Sequence, residues 1–297
     1  LSFLESQDIN FNVGPTGFAT ISLSPDQVDA VTAQLTQLAA SQDDDAADEA
    51  ENDHDNLVIT GTDTDDFIVA TERGGTVSGL GGNDTLVSNV AADILEGGNG
   101  NDTADYSRST DAVNIDLANS TASGGDAEGD TLRSIENLNG SNNNDILSGN
   151  ELNNILFGND GVDTIYGNAG FDRIEGGAGA DFIDGGAGST DLAEYSSSNA
   201  AVFVDLLNDT AEGGHAEGDE LDNIESLTGS LFSDELFGDN GDNRLGGMHG
   251  EDTIFGRGGN DTLLGGNLGD YLDGGSGSDT ADYTASLFGV EVSLVTG

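Results

Sequence analysis

Carboxylates return through this chain on a step of nine residues. In GRGGNDTLLGGNLGDYLDGGSGSDTADY, residues 256–283, Asp261, Asp270 and Asp279 are nine apart, and Leu263, Leu272 or Ala281 stands two places after each. The same clock runs in three blocks. Residues 61–105 carry Asp66, Asp84, Asp93 and Asp102, with Gly75 in one acidic place. Residues 140–193 carry Asp145, Asn154, Asp163, Asp172 and Asp181, and one added residue hands the last place to Asp191. Residues 229–282 carry Asp234, Asn243, Asp252, Asp261, Asp270 and Asp279. Oxygen donors without nitrogen or sulfur partners suit a hard cation, and an irregular cage suits Ca²⁺ over octahedral Mg²⁺.

The unit GGAGADFID, residues 176–184, shows what must position these groups. Three residues around the apolar place make a short strand. The six before it, with Gly at the first, second and fourth places, must turn sharply, because Gly tolerates positive φ and lets carbonyls crowd inward. Two units then make one turn of a coil. Units eighteen residues apart lie one strand spacing apart, about 4.8 Å, with their apolar residues stacked inside. Asp66, Asp84 and Asp102 share one edge, and Asp93 takes the other. Carboxylates stacked at that spacing repel by roughly 1 kcal/mol per pair in water, and several-fold more in a partly dry loop. The pattern therefore predicts cations between the rungs. The candidate main-chain ligands are the carbonyls of Gly79, Gly81, Gly97, Gly158, Gly167, Gly176, Gly256, Gly258, Gly265 and Gly274. The rival explanation is an Asp-Gly turn closed by local hydrogen bonds without metal.

The rest of the composition narrows the function classes. Six basic against 57 acidic residues leave a net charge of −51, and none of the six is Lys. Such a chain repels nucleic acid and anionic membranes, and it repels itself when folded without counter-ions. No apolar run is long enough for a membrane span. There is no Cys, so a bound ion would have to do the cross-linking that disulfides do elsewhere. His54, His215 and His249 form no HExxH motif, and no GxSxG stands at a strand-to-helix turn, so the chain is not expected to be an enzyme.

A longer period overlies the short one. Residues 104–141 return as 193–230, Tyr106 to Tyr195 spans 89 residues, and Tyr283 opens a third copy 88 later. These inserts, 106–139 and 194–228, break the clock. Val113, Ile115 and Leu117, matched by Val202, Val204 and Leu206, alternate as a strand with one buried face, and Ile135, Leu138, Ile224 and Leu227 extend the core. Asp126, Glu128 and Asp130 at alternate places form a candidate extra calcium loop, aligned with His215, Glu217 and Asp219 in the copy. Residues 283–297 read as the start of a truncated third insert in a longer array. Upstream, Ile9, Phe11 and Val13 and then Ala19, Ile21 and Leu23 flank a Gly-Pro turn and predict two strands, followed by a helix at 25–40 capped by Ser24. Residues 41–60, dominated by the run SQDDDAADEAENDHDN, read as an acidic linker.

The nonapeptide matches GGxGxDxUx, and over residues 61–297 the chain resembles the RTX, or hemolysin-type, calcium-binding repeat proteins. The resemblance implies an all-β fold, a parallel β-roll or β-solenoid, here with the small N-terminal α+β segment attached. It implies multiple Ca²⁺ ions, roughly ten or more at extracellular affinities. It also implies type I secretion as an open chain, a secreted or cell-surface location, and a secretion signal lying beyond residue 297. The expected role is a rigid structural or adhesive part of a larger polypeptide. The alternative is the non-catalytic C-terminal module of a secreted protease, lipase or alginate epimerase. Residues 1–40 are the candidate cap, or the contact to other copies or surface molecules. Gly75 lacks the ligand, Asn154 and Asn243 offer a neutral oxygen, and Leu80, Ala91 and Leu152 replace glycines, so those sites are expected to be weak or empty. Six scattered Arg disfavour a polyanion-binding module, and Asp63, Gly81, Asn99, Asp160, Ala169 and Gly258 at the third place disfavour an ice-binding Thr ladder.

Overall fold

Each apolar residue of the nine-residue clock up to Leu272 becomes the centre of a three-residue stretch of strand that pairs in parallel with the strand one coil away, and Ala281 ends a two-residue strand that pairs likewise. In this computed structural model residues 57–188 and 190–284 are described, with the backbone of 11–13 and 19–21. The contacts divide them into two compact units, one built from residues up to Ser109 with Ser120–Ile135, the other from Thr110–Asn119 with Glu136 onward.

The first unit stacks two columns. Ile59, Val77, Leu95 and Leu132 pair in succession, as do Ile68, Leu86 and Ala104. The second unit stacks three. Ile115, Leu147, Ile165, Ile183 and Leu221 form one. Leu138, Leu156, Ile174, Ala193, Leu227, Leu245, Leu263 and Ala281 form another. Val204, Leu236, Ile254 and Leu272 form the third. Leu86, Leu95, Leu147, Leu156, Ile165 and Ile174 are fully buried. Each unit is thus a parallel β-solenoid whose thin core is one side chain wide per strand. Burying each such side chain stabilises by about 1.5–3 kcal/mol, which a three-residue strand could not gain alone.

The inserts do not leave the solenoid. Val113, Ile115, Val202 and Val204 are buried, and the strands Asn114–Asp116 and Phe203–Asp205 join the sheets in parallel. Leu206 is only half-buried. A hairpin partner, Thr210–Glu212, runs antiparallel to Phe203–Asp205. The coil column then resumes through the insert's own Leu132 after Leu95, and through Leu221 after Ile183.

One boundary differs from the expectation. The acidic composition predicts a linker to residue 60, but Val58–Thr60 is a strand paired with Thr76–Ser78, so the solenoid begins one strand earlier. The cause is that Leu57, Val58 and Ile59 supply an apolar place two positions after Leu57 without the Asp that the nine-residue count looks for. The expected N-terminal strands exist as the antiparallel pair Phe11–Val13 and Ala19–Ile21. The expected helix at 25–40, the acidic run at 41–56 and most of the third insert lie outside the described residues. Among the described residues no helix is long and apolar enough to cross a membrane.

Candidate metal centre

The rungs line up as the spacing requires, but backbone stands between them. Asp84 N–H donates to Asp102 Oδ1 at 2.8 Å, Asp145 N–H to Asp163 Oδ1 at 2.7 Å, Asp163 N–H to Asp181 Oδ1 at 2.8 Å and Asp252 N–H to Asp270 Oδ1 at 3.1 Å. On the other edge of the second unit the chain of bonds runs Asn154 to Asp172, Asp172 to Asp191, Asn243 to Asp261 and Asp261 to Asp279. Asp191 therefore takes the rung's place despite the added residue. The stacked carboxylates do not face one another bare. Half of the demand assigned to a cation is met by the main chain, as the rival metal-free turn would have it.

The other half is not met. Among the described residues, the second oxygen of Asp84, Asp163, Asp172, Asp181, Asp191, Asp252 and Asp261 is buried with no hydrogen-bond donor. These side chains are 0–1% exposed wherever they stand in the second unit. An ionised oxygen left this way costs at least about 1–3 kcal/mol. Burial accordingly pushes the carboxyls of Asp163, Asp172 and Asp252 up to about 7 and that of Asp181 to about 6. Desolvation is the largest cause; the main-chain bond pulls the other way, and neighbouring carboxylates add a smaller push at Asp163 and Asp252. Repulsion between rungs, the reason expected from spacing, is thus secondary to burial.

Where the bare oxygen points can be read from the glycines. A Cβ placed on Gly167 would fall 2.5 Å from Asp172 Oδ2 and 2.6 Å from the carbonyl oxygen of Gly185, eighteen residues on. The two oxygens face one spot that only a residue without a side chain leaves open. The same pair, Asp oxygen and glycine carbonyl, meets at Gly79 with Asp84 and Gly97, at Gly158 with Asp163 and Gly176, and at Gly256 with Asp261 and Gly274. Gly176, Gly265 and Gly274 likewise face Asp181, Asp270 and Asp279. Gly81 and Gly258 stand apart: the nearest atoms to a Cβ there are 3.8 and 3.5 Å away, and their N–H groups donate to the carbonyls of Thr62 and Asp239. Among the described residues no three His, Cys, Asp or Glu side chains converge. A cation here would be held by one carboxylate oxygen with main-chain carbonyls, a hard oxygen set that fits Ca²⁺.

Several rungs are closed by the protein instead. At Asp66, Asp145 and Asp234 the residue four places earlier, Thr62, Ser141 or Ser230, donates its N–H to Oδ2 at 2.6 Å. Ser141 and Ser230 also donate their hydroxyls to Oδ1 at 2.8 and 2.6 Å. Asn154 and Asn243 accept the N–H of Asn150 and Asp239 at 2.8 Å and donate Nδ2–H to the carbonyls of Glu136 and Glu225. The amide supplies the positive partner that an Asp would lack. Nothing in the Asp spacing marks these second-place residues. The available signal is their type, Ser, Thr, Asn or Asp, which turns the backbone onto its own side chain.

The insert acids do not converge as a calcium loop. Asp130 is buried and accepts Asp93 N–H, Ser88 Oγ–H and Tyr106 Oη–H at 2.7, 2.6 and 3.0 Å. Glu128 instead accepts Gly124 N–H at 2.9 Å from an exposed position, and Asp126 N–H donates to Ser109. The copy repeats the plan, with Asp219 held by Tyr195 and Asp181 N–H and Glu217 by Gly213 N–H. Gly125–Ala127 is a 3₁₀ turn and not a strand, so the alternate places share no common face and Asp130 turns inward apart from its neighbours. Asp130 and Asp219 therefore serve as rungs in the coil, one insert later than the clock expects. Ser88 holds the first-glycine place before Asp93, so its side chain fills the cradle there.

The family model of the RTX calcium-binding nonapeptide repeat matches residues 70–104, 139–174, 157–192, 222–250, 228–263 and 247–281, together about half of the chain. No curated protein matches it.

Proposed function

Because the chain belongs to the RTX calcium-binding nonapeptide repeat family, we propose that it is a calcium-ordered structural module of a larger secreted or surface polypeptide, with adhesion or spacing as its task. The observation that carries this is the recurring pair of a buried, donor-less Asp oxygen and a glycine carbonyl eighteen residues on, facing one open spot. In this reading Asp84, Asp163, Asp172 and Asp261 hold Ca²⁺ with the facing carbonyls of Gly97, Gly176, Gly185 and Gly274, and the bare oxygens of Asp181, Asp191 and Asp252 extend the same columns. Asp93, Asp102, Asp270 and Asp279 belong to the same columns. When bound, the ion supplies the positive charge that the bare oxygens lack.

The residues present do the rest. The glycines keep the spot free of side-chain carbon. The main-chain N–H of the preceding rung fixes each carboxylate by its other oxygen, so the free one is aimed before any ion arrives. The −51 charge keeps the chain open where calcium is scarce, and extracellular calcium is in the range such modules bind, about 10⁻⁴–10⁻³ M. Folding then follows the chain's exit from the cell. A titration of Ca²⁺ against Mg²⁺, followed by far-ultraviolet circular dichroism on the full chain, tests this. Calcium in that range should raise the β signal several-fold and magnesium should not. A signal indifferent to calcium and to chelator would remove the proposal.

A further inference from the structure

Asp93 apart, where Asn89 accepts the N–H two residues on and one oxygen is still bare, the rungs fall into two kinds, and the backbone of one residue separates them. In the units ending at Asp84, Asp163, Asp172, Asp252 and Asp261 the second-place residue is Leu80, Asn159, Asn168, Met248 or Arg257, each with φ between +69° and +76°. Gly177 and Gly186 do the same before Asp181 and Asp191. Each of these rungs keeps a bare oxygen. In the units ending at Asp66, Asp145, Asn154, Asp234 and Asn243 the second-place residue is not in the left-handed region. There Ser141, Asn150, Ser230 and Asp239 each accept, on the side chain, the N–H two residues on, at 2.7–3.0 Å. That small turn holds the residue's own N–H towards the rung, where it closes the oxygen that a left-handed residue leaves open.

In the second unit the closed rungs are not scattered. Asp234 and Asn243 are the two rungs of the coil that follows the second insert, and the insert's own rung, Asp219, is closed by Tyr195. Val202 N–H, from the insert strand, donates to Asp234 Oδ1 at 2.8 Å, and Asn243 Nδ2–H reaches the carbonyl of Glu225 at the insert's end. Asp145 and Asn154 open the preceding block in the same way. Arg257 reaches back with two 2.6 Å bonds to Asp205 of the insert strand and lies over the Phe237 ring.

We propose that the insert and the coil after it form a calcium-independent seed, closed by the protein's own donors, from which calcium then orders the rest of the block. This rests on the calcium reading given above for the open rungs. A solenoid's stability is a sum over coils and their interfaces, so one coil that needs no ion relieves the block of its nucleation step. The inserts are then part of the folding device, and the closing residues are chosen at its first coil only.

Hydrogen exchange of the full chain, read by mass spectrometry in chelator and in calcium, tests it. In chelator, amides of Glu235–Phe237 and Arg244–Gly246 should exchange at least ~10-fold more slowly than those of Thr253–Phe255 and Thr262–Leu264, since local opening free energies set these rates. Calcium should bring the second pair up to the first. Equal exchange of both pairs in chelator overturns the seed. Failure of calcium to slow Thr253–Leu264 overturns the calcium reading instead, whatever the seed does. Asn243→Asp should remove the chelator-resistant protection of Arg244–Gly246 and make it calcium-dependent, and Ser230→Gly should do the same at Glu235–Phe237. Retention of protection in chelator by both variants contradicts the proposal.

Discussion

The coil after the second insert and the coil beyond it share a backbone path, a buried apolar centre and an acidic or amide rung, yet they differ in what completes the rung. Asp234 receives donors at both oxygens from Ser230 and Val202, whereas Asp252, one coil on, keeps a bare Oδ2 beneath a left-handed Met248. Leu236 and Ile254 are equally buried and pair directly. The apolar core therefore does not decide which coil stands without an ion. The handedness of one turn residue does, because it sets whether an N–H points at the carboxylate or away from it.

Core truncations on the two sides give the largest contrast. Leu236→Ala and Ile254→Ala should each cost about 2–5 kcal/mol in calcium, by urea unfolding. In chelator Leu236→Ala should still be felt and Ile254→Ala should be silent, because only the first coil remains folded. If both are silent or both are felt, the two coils are not different in kind. Next in size, Asp252→Asn should remove one bound ion by titration calorimetry and raise the calcium midpoint several-fold, while Asp234→Asn should leave the ion count unchanged. Equal counts for the two variants would erase the distinction at the rungs.

Acid should substitute for calcium on the open side. Burial raises Asp163, Asp172 and Asp252 to about 7, above an unfolded value near 3.9. Between those limits the calcium-free fold binds more protons than the unfolded chain. Its stability is greatest below about pH 4 and is lost as pH rises through 7. Circular dichroism in chelator across pH 4–8 should show β structure falling with rising pH, and calcium should flatten the curve. A profile that rises with pH would contradict it. The smallest effect is expected at the strut between insert and block. Arg257→Lys gives up the paired bonds to Asp205 and the stack on Phe237 and should cost about 1 kcal/mol in calcium and be silent in chelator, where its own coil is not folded.

Much of this was legible in the sequence because a solenoid makes spacing and geometry the same thing. Eighteen residues separate Ile165 from Ile183 along the chain, and the two pair directly in the sheet. The Asp columns, the shift to Asp191 and the buried faces of Val113 and Val204 followed from periodicity alone. What did not follow were features outside the period. Asp130 and Asp219 look like members of an acidic loop, and only the fold shows that each turns inward to become a rung. Ser141 and Ser230 look like glycine substitutions, and their meaning lies in a two-residue hydrogen bond that no repeat count registers. The spacing also suggested mutual repulsion as the reason for an ion, whereas burial of one oxygen is the larger cause.

The direct measurement is an anomalous-difference map from crystals of the full chain grown in calcium. Peaks should stand between the bare oxygens and the facing glycine carbonyls at Asp163, Asp172 and Asp261, and beside the bare oxygen of Asp252, with none at Asn154 or Asn243. Peaks at every rung alike, or at none, would contradict the division between ion-closed and protein-closed coils.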